Sequence, residues 1–420
     1  MKRLLIAAMV MAWPTGAAAA TFLVNTTVDA VDAAPGDGVC ATVDGLCSLR
    51  AAVQESNALT GAQAISLPAG YYTLTIPGSG GAGVGDLNVG ANTQITITGS
   101  GPATTFVDAN GIGAAFTVDV ASAGLTLIGI TVQNGSADCI ATSGALTLNR
   151  VVVQACQGAG GGIQTTPQGS LTLTIVDTTI TQNGAVGVGS RAGGVSIGPG
   201  TSATIVRSTI AGNSGNIGGG IYVTSSDSAA TSLTIANSTI AQNTAPFVGG
   251  ILLVAGGPLH STTAVTLVNV TIARNVSETP VAAIYGEATG AVQPSLTVRN
   301  TIVANNTGGL VPLNCELQVP ISDLGNNLEF PGTGCGFGQA GDLRVDPLLG
   351  PLAPHGGPTA TMPLLAGSPA IDAGSDVACA MPPVSGQDQR GVSRTVGAGP
   401  HCDIGAFEVE MKIAPFDFNG

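Results

Sequence analysis

The chain has 420 residues, 62 of them Gly, with 9% charged and 3% aromatic side chains and a net charge of −13. Cations are too sparse to neutralise a phosphate backbone, which excludes nucleic-acid binding and disfavours anionic membranes. Regular apolar residues describe a folded chain, and a mean hydropathy of +0.41 calls for a fold walled by Thr, Ser, Asn and Gly.

The first twenty residues order a basic start (Lys2, Arg3), an apolar run (Leu4 to Trp13) and a small-residue site (Ala18 to Ala20). This is the layout of a secretory signal cleaved after Ala20; the apolar run is too short to span a membrane, and no later segment has membrane length. The remaining chain sets 25 acids against 10 Lys and Arg, with Lys412 its only lysine. An exported protein, extracellular or at the cell surface, is the expectation.

Residues 21–63 read as an N-terminal cap. The stretch DAVDAAPGDG offers Asp29, Asp32 and Asp37 in a loose calcium-loop spacing, the one cofactor the residues leave open, although the full ligand series is missing and a solvated turn is the plainer reading. Next comes CSLRAAVQESN (47–57), the one early helical pattern. Ser48 is placed to cap it, and Leu49, Ala52 and Val53 share a face. A stacked solenoid exposes an apolar cross-section at each end, and this helix suits the task of covering one.

Residues 64–310 carry a repeat. VDTTITQN, VRSTIAGN, ANSTIAQN, VNVTIARN and VRNTIVAN close on Asn183, Asn213, Asn243, Asn275 and Asn305, spaced by 30, 30, 32 and 30 residues. Each copy is preceded by a strand-like block (LTLT, SATI, LTIA, VTLV, SLTV), and a third block, ending at Ile163, Val195, Ile221, Ile251 and Ile284, recurs once per repeat. Short period-two blocks without intervening helices predict an all-β parallel β-helix. Stacking puts Ile180, Ile210, Ile240, Ile272 and Ile302 in one interior column, with the Asn residues as a second ladder. A propeller would need more aromatics and four strands per unit. The sequons at Asn237, Asn269, Asn275 and Asn305 read as turn and ladder residues of the repeat rather than glycosylation sites.

The residues three before each interior position are Arg150, Asp177, Arg207, Asn237, Asn269 and Arg299. Arg150, Asp177 and Arg207 are the weak catalytic candidates, since a carboxylate between cations could serve a glycan site. One carboxylate is a poor calcium site and no carboxylate pair suits glycoside hydrolysis, so a surface ion ladder is the plainer reading. Tyr222 and Tyr285 are expected to face outward, where aromatic stacking on sugars would need them.

All eight cysteines follow the signal, and an even count in an exported chain predicts disulfides. Nearest-neighbour pairing (Cys40–Cys47, Cys139–Cys156, Cys315–Cys335, Cys379–Cys402) is the simplest connectivity, and others remain open. No CxxC occurs and only three His are present, so no zinc site is expected.

The stretch CSLRAA resembles the CSLREA signature of exported bacterial β-helix proteins, with Ala51 where the signature has Glu. In residues 311–410, DPLLGPLAPHGGPTATMPLLAGSPAIDAG, DQRG and CDIGAFE resemble the choice-of-anchor Q domain. The resemblance implies an all-β, right-handed parallel β-helix, a pectate-lyase-like solenoid, with an N-terminal capping helix and a C-terminal closing domain. It names varied anchors rather than a reaction. The tail, 411–420, shows no sorting motif, so release or loose surface retention is expected. His401, inside the terminal motif, is expected to pack, and Arg390 and Asp403 are expected to pair there.

Together these features predict a secreted or surface-associated noncatalytic protein, adhesive or glycan-binding. The alternatives are a polysaccharide lyase or glycoside hydrolase acting on the wall, and a calcium-dependent binding module at the acidic loop. The sequence is silent on oligomeric state.

Overall fold

The computed structural model describes residues 20–410 except 60, 186, 188–189, 257–261, 289–291, 310–312, 319–320 and 396–399. The expected signal segment up to residue 19, the tail and His260 lie outside the described residues. Strands of mostly three to seven residues wind into three long parallel sheets, with two small ones of two and three strands, making a right-handed parallel β-helix. The first sheet has 11 strands, from Thr21–Leu23 to Ile321–Asp323. The second has 10, from Gly70–Thr73 to Leu328–Phe330, and the third has 9, from Leu87–Val89 to Leu313–Leu317. Strands this short cannot bury a face alone. Each coil therefore covers the last, at about 4.8 Å spacing.

Ile180, Ile210, Ile240 and Ile272 stand in register and are buried. The next member is Val303, not Ile302, which pairs with Thr271 and points outward. The ladder shifts likewise. Its members are Asn183, Asn213, Asn243, Asn275 and then Asn306, not Asn305. Each Asn Oδ1 accepts from the preceding rung: Asn243 takes the Asn213 backbone N–H at 3.1 Å and its Nδ2 at 3.0 Å. Asn213 Nδ2 also donates to the Ile180 carbonyl at 3.0 Å. This fully paired ladder satisfies polar groups that the tube would otherwise bury at a cost.

The ladder runs between two disulfides. Cys156 occupies the rung before Asn183 and donates its N–H to Asn183 Oδ1 at 3.1 Å, and Cys156 is bonded to Cys139. At the other end Asn306 Nδ2 donates to Asn314 Oδ1 at 3.1 Å, beside Cys315, which is bonded to Cys335. Cys40–Cys47 and Cys379–Cys402 complete the set. The recurrent Gly pairs mark close wall contact: a Cβ on Gly219 would lie 2.4 Å from the Gly249 carbonyl oxygen.

The N-terminal end is closed by the helix Leu49–Ala58, with the Ser48 side chain accepting the Ala51 N–H at 3.0 Å. Leu49, Ala52 and Val53 lie in the core. Arg50 is fully buried, paired with Asp29 at 2.6 Å and donating to the Ala82 and Gly85 carbonyls. At the far end strands continue past 310 for one more coil, and Phe337 is buried in the interior. The C-terminal domain thus covers this end with residues before about 346 and the wall with those after. The latter turn back as a strap along the outer face of the second sheet, where Leu349, Met362, Leu364 and Ile404 cover Ala241, Ala273, Ile302 and Ala304.

Candidate functional site

The corner between the first and second sheets explains the Arg150 column. Arg150, Asp177, Arg207, Asn237, Asn269 and Asn300 all adopt left-handed backbone, with φ between 46° and 54°. Asn takes that conformation readily; Arg and Asp do so at a cost of order 1 kcal/mol or more. Asn300, not Arg299, is the sixth member, following the one-residue shift at Val303; Arg299 belongs to a first-sheet strand. Asp177 pairs in bidentate fashion with Arg207, at 2.8 and 3.1 Å, with both side chains partly exposed. Arg150 is exposed and, among the described residues, forms no ion pair with Asp177. The expected three-member ladder is thus a pair.

Beyond Arg207 the strap covers the corner. Asn237 Nδ2 donates to the Val384 carbonyl at 3.4 Å, and Asn237 Oδ1 accepts from Arg394 at 2.9 Å. Asn269 reaches the Asp403 and Gly405 carbonyls, and Asn300 reaches that of Ser375. Asn237, Asn269 and Asn275 are fully buried, so these three sequons are closed to modification.

The other candidates are dispersed. Asp29 binds Arg50 and the Thr75 and Ile76 N–H groups; Asp32 holds those of Ala34 and Ala41; Asp37 holds that of Val39. Each carboxylate thus has its own turn to hold, and among the described residues no group of three or more His, Cys, Asp or Glu is placed for a metal ion. Tyr222 and Tyr285 do project from the third sheet, but loops cover them to 8% and 9% exposure. Phe247 packs edge-on to Tyr285, and Arg191 lies over Tyr222. Arg390 pairs with Asp388 at 2.7 Å and lies over Phe407, not with Asp403, because Asp388 is two residues away on the same turn. His401 contacts Asp376 at 2.8 Å with its ring largely exposed, rather than packing.

A site that sequence reasoning missed lies on the open part of the second sheet. Tyr71 stacks on Phe106 with ring centroids 4.4 Å apart and planes at 14°, and Tyr71 is 52% exposed. Beside the rings runs an amide row. Gln154 Nε2 donates to Gln133 Oε1 at 3.0 Å, and Gln133 Nε2 donates to Asp108 Oδ2 at 2.9 Å. Asp108 also accepts from Asn134 Nδ2 and the Asn110 N–H, both at 2.8 Å. A groove of about 500 Å³ opens at this edge, lined by Asp108, Asn110, Asn134, Ser136 and Gln157. Tyr71, Phe106, Thr131 and Val152 share one register upstream of the strong repeat copies.

An aromatic platform beside donors and acceptors in a row can stack a sugar ring and bind its hydroxyls. Asp108 is the one acid in the groove, and its hydrogen bonds hold it as an acceptor. A larger groove, about 800 Å³, lies between the third and first sheets and is lined by Gln168, Ser170, Arg191, Ser226 and Ser228 without a carboxylate. Neither groove presents the paired acids of glycoside hydrolysis.

Residues 140–323 are similar to the family described as the right handed beta helix region. Among solved structures, the chain is similar to the crystal structure of pectate lyase Pel9A. Identity is 16%, the alignment covers 93% of this chain and 96% of that one, and the TM-score is 0.47. No curated protein matches the sequence.

Proposed function

We propose that this is an exported β-helix protein that binds a glycan along the open part of its second sheet without cleaving it, in the medium or at the cell surface. The observation that carries this reading is the Tyr71–Phe106 platform beside the Asp108–Gln133–Gln154 row and its groove. Such a surface supplies stacking and directed hydrogen bonds, while the single engaged carboxylate supplies neither an acid–base pair nor a nucleophile with a partner. Four disulfides fit an oxidising compartment.

A glycan array probed with the folded chain tests the reading, run beside assays for unsaturated products and new reducing ends with and without calcium. Binding without product, weakened in Tyr71→Ala, is the expected result. Product above background that disappears in Asp177→Ala or Asp108→Asn would replace binding by lyase or hydrolase action.

A further inference from the structure

The first sheet carries a different surface. At its central outward position Thr126 lies over Thr96, Thr147 over Thr126 and Thr174 over Thr147. The register continues through Thr204, Thr234 and Thr266 to Thr297. The fold does not require this. Interior positions of the same strands vary among Leu, Ile, Val and Ala, and an outward strand position tolerates most residues. These threonines are half-buried, each flanked by its neighbours above and below. Among the described residues their hydroxyls make no hydrogen bond to protein, whereas Thr131, Thr209 and Thr239 on the second sheet all do.

The column two residues upstream reads Gln94, Gly124 and Ala145, then Thr172, Ser202, Ser232, Ala264 and Ser295, so it adds hydroxyls only in the later coils. From Thr96 to Thr297 the threonine column and the one two residues upstream hold no charged side chain; Arg299, two residues beyond Thr297, is the charged outward residue of that last coil. A chain of net charge −13 thus keeps one long face neutral. Charge complementarity selects an uncharged partner for it and rejects ions, nucleic acids and anionic membranes. The grid repeats at about 4.8 Å between coils and about 6.6 Å between alternate residues along a strand. Stacked coils keep such a face flatter than an open twisted sheet. Each threonine presents one methyl group, which orders water beside it, and one hydroxyl, which can join that water by a hydrogen bond.

An ice surface is an uncharged, regular array of hydrogen-bond donors and acceptors, the class of partner this face selects. We infer that the outer face of the first sheet adsorbs to ice, the threonine grid holding a layer of water that merges with the crystal.

The purified chain is tested for slowing of ice recrystallisation and for partition into a growing ice front. The expected result is slowed grain growth, with roughly tenfold weaker potency in the double variant Thr204→Tyr/Thr234→Tyr. Thr181→Tyr, on the second sheet, is expected to retain full potency. Melting curves confirm that each variant folds, and Thr204→Lys replaces the double variant if it does not. Grain growth no slower than with an unrelated protein at equal concentration would overturn the inference, as would undiminished potency in a folded grid variant. Capture by insoluble neutral polysaccharide through this face, with no effect on ice, would overturn it in favour of a solid glycan.

Discussion

One outward position of the second sheet passes through Asp108, Gln133, Gln154 and Thr181, and then through Ala211, Ala241, Ala273 and Ala304. Backbone and register are continuous across the change. The first half stays open and carries rings, amides and an acid. The second half is covered by the strap, and its alanines leave room for Leu349, Met362 and Leu364. Outward residues are therefore chosen by what lies over them. Small side chains mark a wall that the chain itself occupies, and large polar ones mark a wall left for something else.

The sharpest way to break this contrast is to unfasten the strap. Arg394 is fully buried and bonds Glu408 at 3.1 Å, Asn237 at 2.9 Å and the Gly405 carbonyl at 2.7 Å. Arg394→Ala leaves Glu408 and Asp403 buried without that cation and is expected to cost about 3–5 kcal/mol in denaturant melts. Limited proteolysis should then cut within the strap first.

Acid–base chemistry acts on the same contact. Burial, reinforced by the nearby Glu408 charge, pushes the Asp403 carboxyl up to about 7 from 3.8. A carboxyl raised on folding adds stability at pH below its unfolded value, and that contribution is lost as pH climbs through the folded value. The midpoint of denaturant unfolding should therefore fall from about pH 4 to about pH 7, and Asp403→Asn should flatten this slope. Burial also raises Glu408, and raises Asp138 to about 6, which adds to the slope in the same direction.

A milder comparison substitutes one position in each half. Ala241→Leu overfills the covered wall and is expected to cost about 1–3 kcal/mol. Gln154→Leu, at the same position on the open wall, should stay within about 0.5 kcal/mol. Tyr71→Ala should leave melting nearly unchanged while weakening glycan binding by roughly tenfold, read by titration. Asp177→Ala breaks a partly exposed pair, and its cost in denaturant melts should lie within about 0–1 kcal/mol.

The fold was legible because burial imposes period: the Ile and Asn columns recur wherever the interior must be filled in the same way. The last coil misled at Ile302 because Ile302 and Val303 are both β-branched and apolar. Ile302 is apolar because the strap lies over it, with Gly405 packed against its side chain. No local pattern could reveal a partner about a hundred residues away. The Asn305–Asn306 doublet hid the ladder shift in the same manner. The Asp177–Arg207 pair followed from thirty-residue spacing, but the partner of Arg390 did not, since side chains in an irregular segment obey no repeat. Tyr71 and Phe106 belong to coils whose turns differ in length, which masked their shared register.

The asparagine ladder also makes the molecule extensible. Every rung makes the same bonds to the rung on either side, so a coil duplicated between Cys156 and Asn213 would splice into the column without altering either disulfide-bound terminus. The strap docks from Arg207 onward, so such an insertion would lengthen only the uncovered surface. Evolution can thus enlarge the exposed working area in steps of one coil while the clamp on the far side keeps its fit.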